Sequence, residues 1–144
     1  MVTTRETMSP RAARARAGDT LVEVAQTLRD CHLSQLPICD ESGALVAVVT
    51  DRDLVVGAMA DGADPTTTHV CDLGLVAPVS VRADASAEEA LGLMIEHATR
   101  RLPVVDHGQL VGTVTQTALA LALSDTSIGT LIAAASGSRE RGRR

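Results

Sequence analysis

The sequence contains no phenylalanine, tryptophan or tyrosine. Its core must be aliphatic, and no ring can stack on an aromatic side chain, which argues against the usual platforms for single-stranded nucleic acid. Lysine is also absent, and all 13 basic residues are arginine. Cysteine is scarce: Cys31, Cys39 and Cys71 form an odd set without Cys-x-x-Cys spacing. They are not a disulfide framework and are expected to be reduced and dispensable for folding. No apolar run reaches the ~18 residues of a membrane span. The start, Met1-Val2-Thr3-Thr4-Arg5, lacks the apolar stretch of a secretory signal. The expected setting is the cytoplasm, with no membrane partner.

The chain has 144 residues, 45% hydrophobic and 22% charged, as in a folded protein. A domain of this size buries ~70% of the surface its unfolded chain exposes and needs no metal or disulfide to stand. The net charge of −5 is unevenly spread. Residues 1–17 hold four arginines against Glu6, and residues 139–144 hold four against Glu140. The body between them holds 16 acids and five arginines. An acidic body is a poor partner for a phosphate backbone, so no nucleic-acid partner is expected.

The chain contains an internal repeat. Leu36-Pro37-Ile38-Cys39-Asp40 recurs 66 residues later as Leu102-Pro103-Val104-Val105-Asp106. A turn follows each (Glu41-Ser42-Gly43, or the shorter His107-Gly108), and then a β-rich run, Leu45–Thr50 or Leu110–Thr115. Upstream, Thr20-x-x-Glu23 and Ser86-x-x-Glu89 are capping boxes, opening helices over about 20–31 and 86–97. Leu21, Val24, Ala25 and Leu28 keep helical spacing, as do Ala87, Ala90, Leu91 and Met94. Further helices are expected from Asp51 and from Gln116. Short strands are expected at 13–15 and 79–81, the first of them only because the repeat requires it. Asp64 and Pro65 suit an N-cap and first helical position, and the apolar segment Ile128–Ala135 suits a last helix before a disordered arginine-rich tail. The copies divide as residues 1–63 and 64–125, followed by 126–144.

These residues resemble a pair of cystathionine-β-synthase (CBS) domains, the arrangement called a Bateman module. The resemblance covers roughly residues 4–125. It rests on the doubled Leu-Pro-x-x-Asp and Leu-Val-(Ala/Gly)-x-Val-Thr strands and on the lead-ins Met8-Ser9-Pro10 and Val76-Ala77-Pro78. In size the chain is similar to the small stand-alone CBS-pair proteins of actinobacteria. The resemblance implies an α/β fold of two βαββα repeats related by a pseudo-two-fold axis, often assembled into disc-like dimers. It further implies a non-catalytic sensor that binds an adenosine-containing ligand (AMP, ADP, ATP or another adenosyl compound) between its repeats and signals to a protein partner. A homodimer is expected, with the helices at 51–60 and 118–123 in contact.

The leading site candidate is Thr50-Asp51-Arg52-Asp53, which matches the family's Ser/Thr-x-x-Asp motif. That match implies Asp53 on the ribose hydroxyls and Thr50 near phosphate. A carboxylate can accept both hydrogen bonds of a vicinal diol, yet the same spacing is also a plain capping box. The second copy reads Thr115-Gln116-Thr117-Ala118 and lacks the carboxylate. Arg100 and Arg101 resemble a phosphate-binding basic pair and equally suit a solvated helix end; Arg52 is a third phosphate candidate. Cys31, His32 and Cys39 are weak zinc candidates, since their spacing fits no common pattern and small buried hydrophobes account for the cysteines better. No nucleophile–base constellation points to catalysis. The alternative to a sensor is a ligand-free scaffold or stress protein, which the missing carboxylate at position 118 favours.

Overall fold

The computed structural model describes residues 1–123, so the helix expected at Ile128–Ala135 and the arginine-rich tail lie outside the described residues. In chain order the elements are α1 (Thr4–Thr7), β1 (Ala15–Arg16), α2 (Leu21–Asp30), β2 (Gln35–Cys39) and β3 (Leu45–Thr50). A wide helix (Asp53–Met59) and a 3-10 turn (Val70–Leu73) follow. The second copy supplies β4 (Val81–Arg82), α3 (Ala87–Glu96), β5 (Arg101–Asp106), β6 (Gln109–Thr115) and α4 (Gln116–Ala122). Two three-stranded sheets result, ordered β1-β2-β3 and β4-β5-β6. In each, a short first strand runs parallel to the central one. Proline is tolerated in both central strands because β1 and β4 pair only from Ile38 and Val104 onward, leaving Pro37 and Pro103 no partner on that side.

The 66-residue repeat is visible bond by bond. Thr20 caps α2 with its hydroxyl while the Glu23 carboxylate returns to the Thr20 amide. Ser86 caps α3 through its hydroxyl alone. Both helices end on a left-handed residue, His32 at φ 54° and Ala98 at φ 52°. The next amide then bonds back into the helix, Leu33 to the Leu28 carbonyl and Thr99 to that of Met94. The turns differ as their lengths require. His107 and Gly108 both take positive φ, as a two-residue hairpin turn demands. The longer turn uses Gly43 at φ 88°, with the Asp40 carboxylate accepting from the Ser42 hydroxyl and the Ser42 and Ala44 amides. Those bonds hold the Asp40 carboxyl below its ordinary range.

The chain forms two compact units, and the lead-in segments are exchanged between the copies. One unit holds Ala13–Pro78 and Gly108–Leu110; the other holds Met1–Ala12 with Val79–His107 and the described residues from Val111. The Val70 amide donates to Asp19 and that of Thr4 to Ala85; Cys71 donates to Ala17 and Arg5 to Ala83. Each pair repeats the other at the 66-residue offset. Val70 is fully buried, and so is its counterpart Thr4, whose hydroxyl satisfies itself on the Ala85 carbonyl.

Each unit has its own aliphatic core. The first packs Leu21, Val24 and Leu28 of α2 against Leu36, Ile38 and Val49 of its sheet. The second packs Ala87, Ala90, Leu91 and Met94 of α3 against Leu102, Val104 and Val114. Ala25, which shares the helical spacing, is exposed.

Two expectations need correction. Asp64 and Pro65 start a single turn and no helix: the Asp64 carboxylate caps the Thr66 amide and hydroxyl, and three consecutive β-branched threonines do not propagate it. The helix after β3 is wide: the amides of Ala60 and Ala63 donate five residues back, to the carbonyls of Val55 and Ala58. Val55, Val56 and Gly57 are all poor helix formers, whereas α4, built from Ala118-Leu119-Ala120-Leu121, is regular.

Candidate functional site

At the end of β3 the chain enters the wide helix through a reciprocal cap. The Asp53 amide donates to the Thr50 hydroxyl at 3.1 Å, and the Thr50 amide donates to Asp53 Oδ2 at 2.8 Å. Asp53 is half-buried, and the described residues make no bond to its second carboxylate oxygen. The capping role read from the spacing is therefore realised, and it leaves an acceptor oxygen for a hydroxyl-bearing ligand. Asp51 turns its carboxylate to the Arg52 amide at 2.8 Å, and the Asp51 amide donates to the Ser34 carbonyl at 2.9 Å, tying the end of β3 to the start of β2. Arg52 is exposed.

The corresponding corner of the other unit keeps the backbone and changes the side chains. The Gln116 amide donates to the Arg100 carbonyl at 2.8 Å, and the Ala118 amide to the Thr115 hydroxyl at 3.1 Å. With Ala118 in place of a carboxylate the cap is one-sided. Arg100 is exposed and Arg101 half-buried, and both line a cleft of about 300 Å³ with Thr115, Gln116 and Thr117.

The zinc candidates are not brought together. Cys31 and His32 are exposed at the end of α2, while Cys39 is buried in the central strand. Among the described residues no group of three or more His, Cys, Asp or Glu side chains is placed to hold a metal ion. All three cysteines are free. Burial pushes the Cys39 thiol up, opposed by the nearby Arg14 guanidinium. No described helix is long and apolar enough to cross a membrane.

Sequence reasoning missed an apolar groove of about 590 Å³ between α2 and the wide helix, lined by Leu21, Ala25, Leu28, Leu54, Val55 and Met59 among others.

The CBS-domain family model matches residues 5–58 and 70–125. Hypoxic response protein 1 of Mycobacterium tuberculosis is 36% identical over 128 residues, 89% of this chain and 90% of that protein. A crystal structure of hypoxic response protein I with two coordinated zinc ions has a TM-score of 0.77, covering 85% of this chain and 100% of that one. CBSX2 in complex with AMP is 28% identical with a TM-score of 0.72, covering 85% of this chain and 96% of that one. The cytosolic domain of the Mg2+ channel MgtE in complex with ATP is 35% identical with a TM-score of 0.67, covering 81% of this chain and 46% of that one.

Proposed function

The chain belongs to the CBS-domain family, and from that premise we propose that it is a non-catalytic, cytoplasmic regulatory module that takes an adenosine-containing ligand and signals to a protein partner. In this reading Asp53 accepts from the ribose hydroxyls and Thr50 lies near phosphate. Arg52, Arg100 and Arg101 are the phosphate donors. The observation that carries it is the Asp53 carboxylate itself: one oxygen holds the Thr50 amide and thereby fixes the group's orientation, and the other remains an acceptor. The relatives holding AMP and ATP support the ligand class.

One nucleotide per chain is expected, because Ala118 removes the second carboxylate. Calorimetric titration with AMP, ADP and ATP tests this on the wild type and on Asp53→Asn, which keeps a capping oxygen and removes the charge. Loss of a charged acceptor costs ~1.5–3 kcal/mol, so affinity should fall by about ten- to a hundredfold. Unchanged affinity, or two equal sites per chain, would overturn the assignment. A second reading, a ligand-free scaffold, is favoured by Ala118 and by the engagement of Asp53 as a cap; silence with every adenosine nucleotide would select it.

The module is further proposed to be a homodimer through the helices at 51–60 and 118–123. Val55, Val56 and Met59 of the wide helix and Leu121 of α4 support this, each more than half exposed at 53%, 52%, 70% and 84%.

A further inference from the structure

At the end of β2 away from Ser34, the two copies treat their charges differently. Ala15 and Ile38 belong to the core shared with α2, so their strand neighbours Arg14, Arg16 and Cys39 stand on the other face of the sheet. Cys39 is buried there, beside the Arg14 guanidinium. Beyond the carboxyl ends of the parallel pair β1 and β2 opens a cleft of about 750 Å³, lined by Arg14, Arg16, Asp19, Cys39, Asp40 and Glu41 among others. Open sheets take ligands at such ends, and the volume suits a small molecule. The second copy satisfies its charges internally: Arg82 pairs with Asp84 at 2.7 Å, and Asp106 with Arg5 at 2.7 Å and His107 at 2.8 Å. At the 66-residue offset Gly18 stands in place of Asp84, and Cys71 in place of Arg5. Arg16 and Asp40, the counterparts of Arg82 and Asp106, therefore lack those partners. Among the described residues none of the five charged groups of the cleft forms an ion pair, and the side chains of Arg16 and Glu41 have no partner at all. Asp40 Oδ1 accepts from Ser42 and Ala44, Asp19 Oδ2 accepts from the Arg16 amide, and Arg14 donates to the Leu110 carbonyl at 3.3 Å. Opposite charges thus face one cleft without neutralising each other.

We propose that this cleft binds a basic α-amino acid. Three carboxylates against two guanidiniums leave it one net negative charge, which a ligand with two cationic groups and one carboxylate matches. Arg16 and Arg14 donate to the ligand carboxylate, with the paired N–H groups that a guanidinium offers. Asp40, Asp19 and Glu41 accept from the α-ammonium and the side-chain cation. The ligand supplies in one molecule what Asp84 and Arg5 supply to the second copy from within the chain. The cleft is separate from the proposed nucleotide corner, because β2 runs from Gln35 at that corner to Cys39 here, ~13 Å along the strand. The inference therefore stands or falls independently of the nucleotide reading.

The test is calorimetric titration of the full chain with L-lysine and L-arginine in low-salt buffer at neutral pH. One equivalent should bind per chain. Cadaverine, which is lysine without its carboxylate, and norleucine, which lacks the side-chain cation, should each bind at least about tenfold more weakly. Two substitutions transplant the pairs of the second copy. Gly18→Asp gives Arg16 a carboxylate and Cys71→Arg gives Asp40 a guanidinium, and each should weaken lysine at least about tenfold. Both positions are exposed, and a Cβ at Gly18 meets no atom within 4 Å. The Cys71 amide is bonded to Ala17 as that of Arg5 is to Ala83, so the new arginine starts from the same frame. Far-UV circular dichroism checks that both variants are folded. Asp53→Asn, at the other end of the strand, should leave the lysine affinity within about twofold. Failure of both amino acids to bind, cadaverine or norleucine as tight as lysine, indifference to Gly18→Asp or Cys71→Arg, or loss of binding in Asp53→Asn would overturn the site.

Discussion

Replacing Gly112 by alanine tests how firmly the first twelve residues are held to the second copy. A Cβ at this position would lie 2.6 Å from the Ser9 carbonyl oxygen and 2.8 Å from the Met8 sulfur. The sulfur belongs to a flexible side chain and can move. The carbonyl cannot, because Ser9 is locked to Thr113 by two backbone bonds, donating at 2.8 Å and accepting at 3.1 Å. The chain then has two ways to respond. It can keep the pair and bear the overpacking, at ~1–3 kcal/mol. It can instead shift residues 8–10 outward and lose both bonds, at ~0.5–1.5 kcal/mol each. The cheaper response sets the cost, so Gly112→Ala should destabilise by about 2 kcal/mol. For a domain of this size that corresponds to a fall in melting temperature of roughly 4–8 °C. Far-UV circular dichroism during urea unfolding reads the change, since the protein lacks tryptophan and tyrosine. Hydrogen exchange at the Ser9 and Thr113 amides tells the two responses apart. The internal control is Ala47, which occupies the equivalent position of the first copy with its Cβ already accommodated. Stability equal to wild type, with both amides still protected, would show that the close approach is not real and would refute the reasoning.

Three further outcomes are expected. Ala98→Gly should stabilise the protein by about 0.5–1 kcal/mol, because relief of a left-handed alanine, ~1–2 kcal/mol, exceeds the added entropy of the unfolded chain; a lowered urea midpoint would contradict this. Alkylation at mildly alkaline pH, followed by mass spectrometry, should label exposed Cys31 first. Cys71, raised by partial desolvation and by the adjacent Asp72, should follow, and buried Cys39 should be last; early labelling of Cys39 would mean that its strand opens readily. Light scattering should give twice the chain mass at micromolar concentration, and Met59→Glu on the exposed helix face should halve it; a monomer in the wild type would sink the proposed dimer.

Much of the fold was legible because a duplicated sequence is its own control. Strand boundaries at Leu36 and Leu102 and helix starts at Thr20 and Ser86 each occur twice in the chain, and the weak strand at Ala15 gains its support from its copy at Val81. Features outside the repeat were harder. The turn at Asp64 has a helix-start signature, and only the three threonines after it say otherwise. The five-residue hydrogen-bond spacing of the wide helix was not legible, since the low helix propensity of Val55-Val56-Gly57 does not distinguish a wide helix from a regular one. At the candidate site, the residues and their capping role were legible from Thr50-x-x-Asp53. The pairing of Arg100 with Gln116 through the backbone was not, since it depends on which strand ends meet.

The exchanged lead-in segments bear on the order in which the chain can fold during synthesis. The unit containing α2 draws on residues 13–78 and needs little beyond them. The other unit needs residues 1–12 together with residues 79–107 and the described residues from Val111. Met1–Ala12 must therefore wait, unpaired, until the second copy has emerged. A cut at the sequence boundary between the copies would separate Thr4 from Ala85 and Val70 from Asp19, leaving neither fragment with its own lid. Two look-alike halves in the gene are thus not two separable pieces of protein.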